Sequence, residues 1–203
     1  MFLSRLRLNR SRAATLWAAN PYRVHQRLRM AFPAEPRLLF RVEDLPNNSG
    51  TQILIQSHSQ PDWSAFVEFP ILLTPPEHKA FEPTLESGRR YRFRLLANPT
   101  VKKKSPDGKP VRLSLFKDDE QRAWVTRKLA EAGAEAVTFM AMPRGLQRSR
   151  KNPQKEERTQ THFAVLFEGI LQVTDPAKLR AAVETGIGSA KGYGFGLLSL
   201  APA

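Results

Sequence analysis

Residues 90–95 read Arg-Tyr-Arg-Phe-Arg-Leu, a strict alternation of guanidinium and apolar side chains. Period two excludes a helix: such a segment is a β-strand with one face buried and the other face basic. Phe2 to Leu8 repeats the pattern, with Phe2, Leu6 and Leu8 on one side and Arg5 and Arg7 on the other. The chain must therefore build sheets that are covered on one side only and carry positive charge on the other. Its 32 Lys and Arg against 19 Asp and Glu give a formal net charge of +13 over 203 residues, with 41% hydrophobic residues. That fraction supports a packed core, so the charge belongs to a folded protein. Such an imbalance draws polyanions, nucleic acid first and an anionic membrane surface second.

Other classes drop out. The chain has no cysteine, which rules out disulfides and thiolate metal sites. Its four histidines, His25, His58, His78 and His162, stand at no metal-ligand spacing, so neither a metal nor another cofactor is expected. Arginines interrupt the apolar N-terminal stretch, which is not a signal peptide, and no segment approaches a transmembrane span. A soluble, cytoplasmic protein is expected.

Along the chain, Asn20-Pro21 opens a helix with Asn as N-cap and Pro at the first position, running to about Phe32. Strands are expected at Leu38–Glu43 and Gln52–Ser57, with a turn at Asn47–Gly50. A short helical piece starts near Pro61, and the proline-rich stretch from Pro70 to Gly88 reads as a linker. The strand through Tyr91 then leads to a charged turn, Lys102–Lys109, and a strand at Val111–Phe116. Asp118 and Gln121 suggest a capping box for a helix to about Ala132, with Trp124, Val125 and Leu129 on its core face. A strand at Ala136–Met142, a basic polar stretch at Pro143–Gln160 and a long strand at Phe163–Val173 follow. Asp175-Pro176 caps a helix ending at Gly186, and Leu197–Leu200 closes the chain. Strand, helix, strand, strand, helix, strand given twice predicts an α+β protein of two tandem ferredoxin-like (βαββαβ) domains, at 1–85 and 86–203.

Three groups of residues carry candidate chemistry. On the first expected helix, Val24, Leu28, Ala31 and Phe32 form the buried stripe, and Tyr22 and His25 lie three residues apart at its edge. Arg29 projects between them, while Arg23 and Arg27 are expected on the wet side. RNA supplies its own nucleophile, the 2′-hydroxyl. An imidazole can take or give a proton near neutral pH, and a phenol or guanidinium can stabilise the charged phosphorane. The same pair could equally be side chains covering the core edge.

The second group is glycine-rich: Gly186, Gly188, Gly192, Gly194 and Gly196 fall within eleven residues, with Lys191 among them. Glycine lets backbone N–H groups approach a phosphate, although a tight turn before a strand has the same composition. The third group is cationic: Arg144, Arg148, Arg150, Lys151, Lys155 and Arg158, with Arg127 and Lys128 on the later helix. No aromatic residues interleave with these charges, which favours shape and backbone recognition of a folded RNA.

Taken together, Met1-Phe-Leu-Ser-Arg-Leu6, Asn20-Pro-Tyr-Arg-Val-His-Gln-Arg-Leu28, Arg92-Phe-Arg-Leu-Leu-Ala-Asn-Pro99, Ala123-Trp-Val-Thr-Arg-Lys-Leu129, Leu166-Phe-Glu-Gly169 and the segment from Gly186 to Pro202 resemble the CasE family. These are the crRNA-processing endoribonucleases of type I-E CRISPR systems. The resemblance spans essentially the whole chain. It implies metal-independent cleavage of precursor CRISPR RNA at the base of the repeat hairpin, with 2′,3′-cyclic phosphate and 5′-hydroxyl ends. It also implies retention of the crRNA within the Cascade complex, whose other subunits are the expected partners, with no membrane and no small-molecule cofactor involved. His25 falls on the family's catalytic histidine and Tyr22 on its partnering tyrosine. Gly186–Gly196 with Lys191 falls on the glycine-rich segment, and the major-groove hairpin falls within Arg144–Arg158. Whether His25 is acid, base or positioning group stays open. A non-catalytic RNA-binding scaffold is the alternative reading.

Overall fold

The computed structural model describes residues 1–45, 47, 49–149 and 159–203. They divide into two units. The first holds Met1–Pro83 and Lys191–Leu197, together with Arg148, Ser149, Thr159 and Gln160; the second holds Thr84–Gln147, Thr161–Ala190 and Leu198–Ala203.

The first unit runs β1 (Phe2–Leu8), α1 (Arg12–Ala18), α2 (Pro21–Leu28), β2 (Leu39–Asp44), β3 (Thr51–Ser57) and β4 (Glu77–Ala80). Its sheet has the order β2-β3-β1-β4, with every pair antiparallel. That is the spatial order of a ferredoxin-like βαββαβ unit. Register follows burial: Leu6 faces Ile53 and Phe40 faces Ile55, and all four are fully buried. Val24, Leu28, Ala31 and Phe32 join the same core, as the helical period requires. Where a second helix is expected there is one turn of 3-10 helix, Ser64–Phe66. Trp63, Phe66 and Phe69 fill that place in edge-to-face contact, with ring centroids 5.2 and 5.5 Å apart.

One reading of this half is corrected, and one element is added. The supposed linker contains β4, which pairs along Phe2↔Ala80 to Arg5↔Glu77 and supplies the missing edge strand. All four β4 residues are exposed, so no apolar alternation announces it. The chain also forms α1, capped by Ser11 Oγ accepting from the Ala14 N–H at 3.1 Å.

The second unit contains β5 (Arg90–Ala97), β6 (Thr100–Lys104), β7 (Pro110–Ser114), α3 (Asp118–Glu131), β8 (Ala134–Ser149), β9 (Gln160–Val173), α4 (Pro176–Thr185) and β10 (Leu198–Pro202). The last residues of β8 and the first of β9 fall with the first unit. Sheet order is β10-β5-β9-β8, the same order again. Along β5, Tyr91, Phe93 and Leu95 are buried while Arg90, Arg92 and Arg94 are exposed, as the alternation dictates. Asp175 Oδ1 caps α4 by accepting from the Lys178 N–H at 3.0 Å, and Gly186 ends it at φ +74°.

Three details differ from expectation. Lys102–Lys104 are not in a turn: they belong to β6, which pairs with β7 in a separate two-stranded ribbon. The Asp118–Gln121 capping box does not form. Lys117 is the N-cap, and the fully buried Gln121 donates to the Leu115 carbonyl at 3.1 Å instead. Finally, β8 extends to Ser149, so Arg144 and Arg148 stand on a strand. Among the described residues no helix is long and apolar enough to cross a membrane.

Candidate active site on the second helix

Helix α2 begins at Pro21, whose fixed φ and missing N–H suit the first position. Asn20 occupies the N-cap position in an extended conformation without a side-chain capping bond. Pro21, Val24 and Leu28 are buried, and Tyr22 and His25 border them, both half-buried. Gln26 Nε2 donates to Tyr22 Oη at 3.3 Å, one turn along the helix.

His25 lies against Phe40 of β2, with ring centroids 6.1 Å apart and planes tilted 33°. Behind Phe40 comes the glycine-rich segment. The 3-10 turn Lys191–Tyr193 packs on α2 and on β2. At Gly192 an added Cβ would stand 3.9 Å from His25 Nε2, so bare backbone borders the imidazole. Gly194 has φ +84°, and a Cβ there would meet Phe40 Cε2 at 3.3 Å. Both the backbone conformation and the approach call for glycine at that position.

Arg41 fastens the end of this segment. It is almost fully buried and donates from Nη1 to the Leu197 carbonyl at 3.0 Å and from Nε to Glu43 Oε1 at 2.7 Å. Glu43 Oε2 in turn accepts from Gln52 Nε2 at 2.7 Å. A buried guanidinium so paired is structural, because losing its partners would strand a charge. Sequence reasoning missed Arg41 and Phe40. The available signal was an arginine inside the apolar run Leu38-Leu-Phe-Arg-Val42, where both strand faces are covered.

Burial, and secondarily the Arg29 guanidinium, hold the pKa of His25 below the ordinary 6.5. A pKa held below 6.5 favours the neutral ring at pH 7, the form that can accept a proton. Arg29 does not project freely between Tyr22 and His25, since it donates to the Glu35 carbonyl. Glu35 is itself buried and accepts from the His58 and Ser59 N–H groups at 3.0 and 2.9 Å.

The other singled-out residues distribute unevenly. Arg23 is exposed on α2. Arg27 is not on the wet side: it is half-buried, its guanidinium 4.6 Å from the Phe69 centroid and 5.2 Å from that of Phe66, donating to the Ala65 carbonyl at 2.5 Å. Gly186 and Gly188 fall in the second unit, where a Cβ on Gly188 would meet the Trp124 ring at 3.2 Å. Arg127 and Lys128 on α3 both pair with Glu131, at 2.6 and 2.5 Å. Arg144 and Arg148 are exposed on β8. Arg150, Lys151, Lys155 and Arg158 lie outside the described residues. His78 contacts Gln60 at 3.2 Å, and His162 contacts Asn98 at 3.1 Å in the second unit.

With this geometry in place, comparison with known proteins decides the family. The family model described as CRISPR associated protein matches residues 1–202. The chain is 36% identical to the CRISPR-associated endoribonuclease Cse3 of Thermus thermophilus, over the whole of both chains. The chain belongs to the Cse3/CasE family of CRISPR-associated endoribonucleases. It is also 34% identical, again over both full lengths, to the CRISPR system Cascade subunit CasE of Escherichia coli. Its fold is similar to that of the endoribonuclease Cse3 bound to a 19-nucleotide RNA, with a TM-score of 0.85, 36% identity and full coverage of both chains. Two ferredoxin-like units with a 4-1-3-2 strand order are thus the family architecture in this chain.

Proposed function

We propose that the protein cleaves precursor CRISPR RNA at the base of the repeat hairpin and keeps the processed crRNA as a subunit of a Cascade complex. It acts in the cytoplasm, where the precursor transcript is made. The observation that carries the catalytic reading is the approach of Gly192 to His25: an added Cβ there would stand 3.9 Å from Nε2. A ribose and phosphate can lie where a larger residue at 192 would stand.

In the proposed reaction His25 accepts the proton of the 2′-hydroxyl as its oxygen attacks the adjacent phosphorus. The P–O5′ bond breaks, and the departing 5′-oxygen takes a proton from solvent water, while the proton on His25 returns to solvent. The products are a 2′,3′-cyclic phosphate and a 5′-hydroxyl. Tyr22 positions the ribose or donates to the phosphorane oxygens, and Lys191 and Arg23 add positive charge there. The N–H groups of the glycine-rich segment offer further donors. Arg144, Arg148 and the cations from Arg150 to Arg158 contact the hairpin backbone. Arg127 and Lys128 are weaker phosphate contacts, because Glu131 already engages both.

The test is cleavage of a repeat hairpin RNA in EDTA by wild type and by His25→Ala. A parallel substrate carries a 2′-deoxy nucleotide just upstream of the scissile phosphate. Wild type is expected to cut at the hairpin base, the variant to bind without cutting, and the deoxy RNA to survive. Binding without cutting by wild type would favour a scaffold instead. Unimpaired cutting by the variant would remove α2 from the active site.

A further inference from the structure

We infer that the β6–β7 ribbon and the groove between it and α3 form a second RNA contact, which holds an unpaired stretch of the substrate outside the hairpin. The inference rests on the reading of the chain as an RNA-processing nuclease. The first observation is charge. Lys102 stands directly opposite Arg112 in the ribbon, and Lys103, Lys104 and Lys109 lie within two residues of that pair or at the turn. Like charges facing each other across a strand pair destabilise it. All five cations are exposed, and no side chain among them makes a hydrogen bond or ion pair with any described residue. Three exposed cations on other elements are engaged, Arg5 with Glu77, Arg94 with Glu168 and Arg122 with Asp118, whereas the ribbon gathers five unpaired ones within eleven residues. Among the described residues no acidic side chain pairs with the ribbon cations, so their charge is available to an anionic ligand.

The second observation is shape. A groove of about 490 Å³ lies against the ribbon, lined by Val101, Lys103, Leu113, Leu115, Trp124 and Arg127. Val101 faces Leu113 across the strands, and both are exposed, at 37% and 46%. Phe116, next in the chain to Leu115, is 63% exposed and leans on Phe163, with centroids 4.8 Å apart. The fitting ligand is anionic along its length and has flat apolar groups to bury. An unpaired nucleotide strand meets both demands, with phosphates on the ribbon cations and a splayed base on the apolar floor. Paired bases in the stem are already stacked and cannot enter. A protein partner fits less well, because protein interfaces are depleted in lysine.

The experiment compares two RNAs, a blunt repeat hairpin and the same hairpin with single-stranded flanks, bound to wild type and to Lys102→Gln/Lys104→Gln/Arg112→Gln. Wild type is expected to bind the flanked RNA more tightly. The variant loses about tenfold on the flanked RNA and nothing on the blunt one, and its salt slope on the flanked RNA becomes shallower by about 2, roughly 0.7 per released phosphate contact. Cleavage of the blunt hairpin stays unchanged. A 4-thiouridine in the flank of the wild-type complex is expected to crosslink to a peptide within 100–116. If the flanks add nothing to wild-type affinity, or if the variant loses equally on both RNAs, the inference is overturned. If wild type neither binds nor cuts the blunt hairpin, the nuclease reading has failed, which is a separate result.

Discussion

Helices α2 and α3 both carry basic residues, and they treat them in opposite ways. Helix α3 has three cations, Arg122, Arg127 and Lys128, against four acids, and every cation is paired within the helix. Helix α2 has Arg23 and Arg27 and no acid at all. It disposes of Arg27 by laying its guanidinium over Phe66 and Phe69, and leaves Arg23 in water beside Tyr22 and His25. A self-neutralised helix is cheap to expose and offers little field to a polyanion. An unneutralised one has a use for its charge. On the proposed reading the difference makes α2 the working surface, while the Arg127 and Lys128 that sequence offered as phosphate contacts on α3 are neutralised by Glu131.

The largest effect is expected from His25→Ala. Loss of a proton-transfer group lowers the cleavage rate by about 10²- to 10⁴-fold. RNA affinity, measured by filter binding, stays within about threefold. A variant that loses binding as much as rate would make α2 a docking surface only.

A matched glycine pair comes next. Gly194 and Gly188 have φ of +84° and +86°, and an added Cβ would meet an aromatic ring at 3.3 Å in one and 3.2 Å in the other. Alanine at either position costs about 1–2 kcal/mol in backbone strain. Only Gly194 presses on Phe40, the ring against His25. Gly194→Ala is therefore expected to lower kcat about 10- to 100-fold beyond its effect on Tm. Gly188→Ala lowers Tm alone. Equal kcat losses would mean that the glycine-rich segment does not position His25.

Arg27 tests what α2 does with a cation it buries. Arg27→Ala removes two ring contacts and the bond to the Ala65 carbonyl, about 2 kcal/mol and a Tm drop of roughly 4–8 °C. Arg27→Lys keeps the charge but not the planar fork, and is expected to recover little of that stability. Recovery of RNA affinity by lysine without recovery of Tm would return Arg27 to the phosphate contacts.

How much of this was legible in the chain depends on whether a residue's role is local. The alternation in β5, the buried stripe of α2 and the Asp175 cap are set by neighbours two to four residues away, and all three were readable. Strand β4 was not, because it is an edge strand held to β1 through its backbone, with all four side chains exposed. The short helix α1 buries only Ala14 and Ala18, too few to show a period. Within the candidate site, spacing placed Tyr22 and His25 together on one helix edge, and the family resemblance, not the spacing, singled them out from side chains that merely cover a core. Phe40 and Arg41 did not, since their partners are His25, Gly194 and Leu197, far off in the chain. Arg27 misled for the same reason: helical phase put it on the wet side, and the aromatic cluster that covers it comes from residues 63–69.

The smallest effect expected on α2 is a shift, not a loss. Burial and Arg29 both depress the pKa of His25, so the fold favours the neutral ring. The stability this contributes is complete above the unfolded pKa near 6.5, and is lost as pH falls through the lower folded value. A base reading gives the rate the same acidic limb, since protonation removes the acceptor. Arg29→Gln removes one of the two causes. The His25 ring signals should then titrate at higher pH than in wild type, and the acidic limb of kcat/KM should move up with them. On α3 the corresponding change, Arg127→Gln with Lys128→Gln, shifts neither His25 nor the limb and alters affinity for the blunt hairpin less than about threefold, because both cations already serve Glu131. If the ring titration moved while the rate profile stood still, His25 would be placed next to Arg29 as described but would not be the group whose protonation gates the reaction, and its part in cleavage would reduce to holding the phosphate.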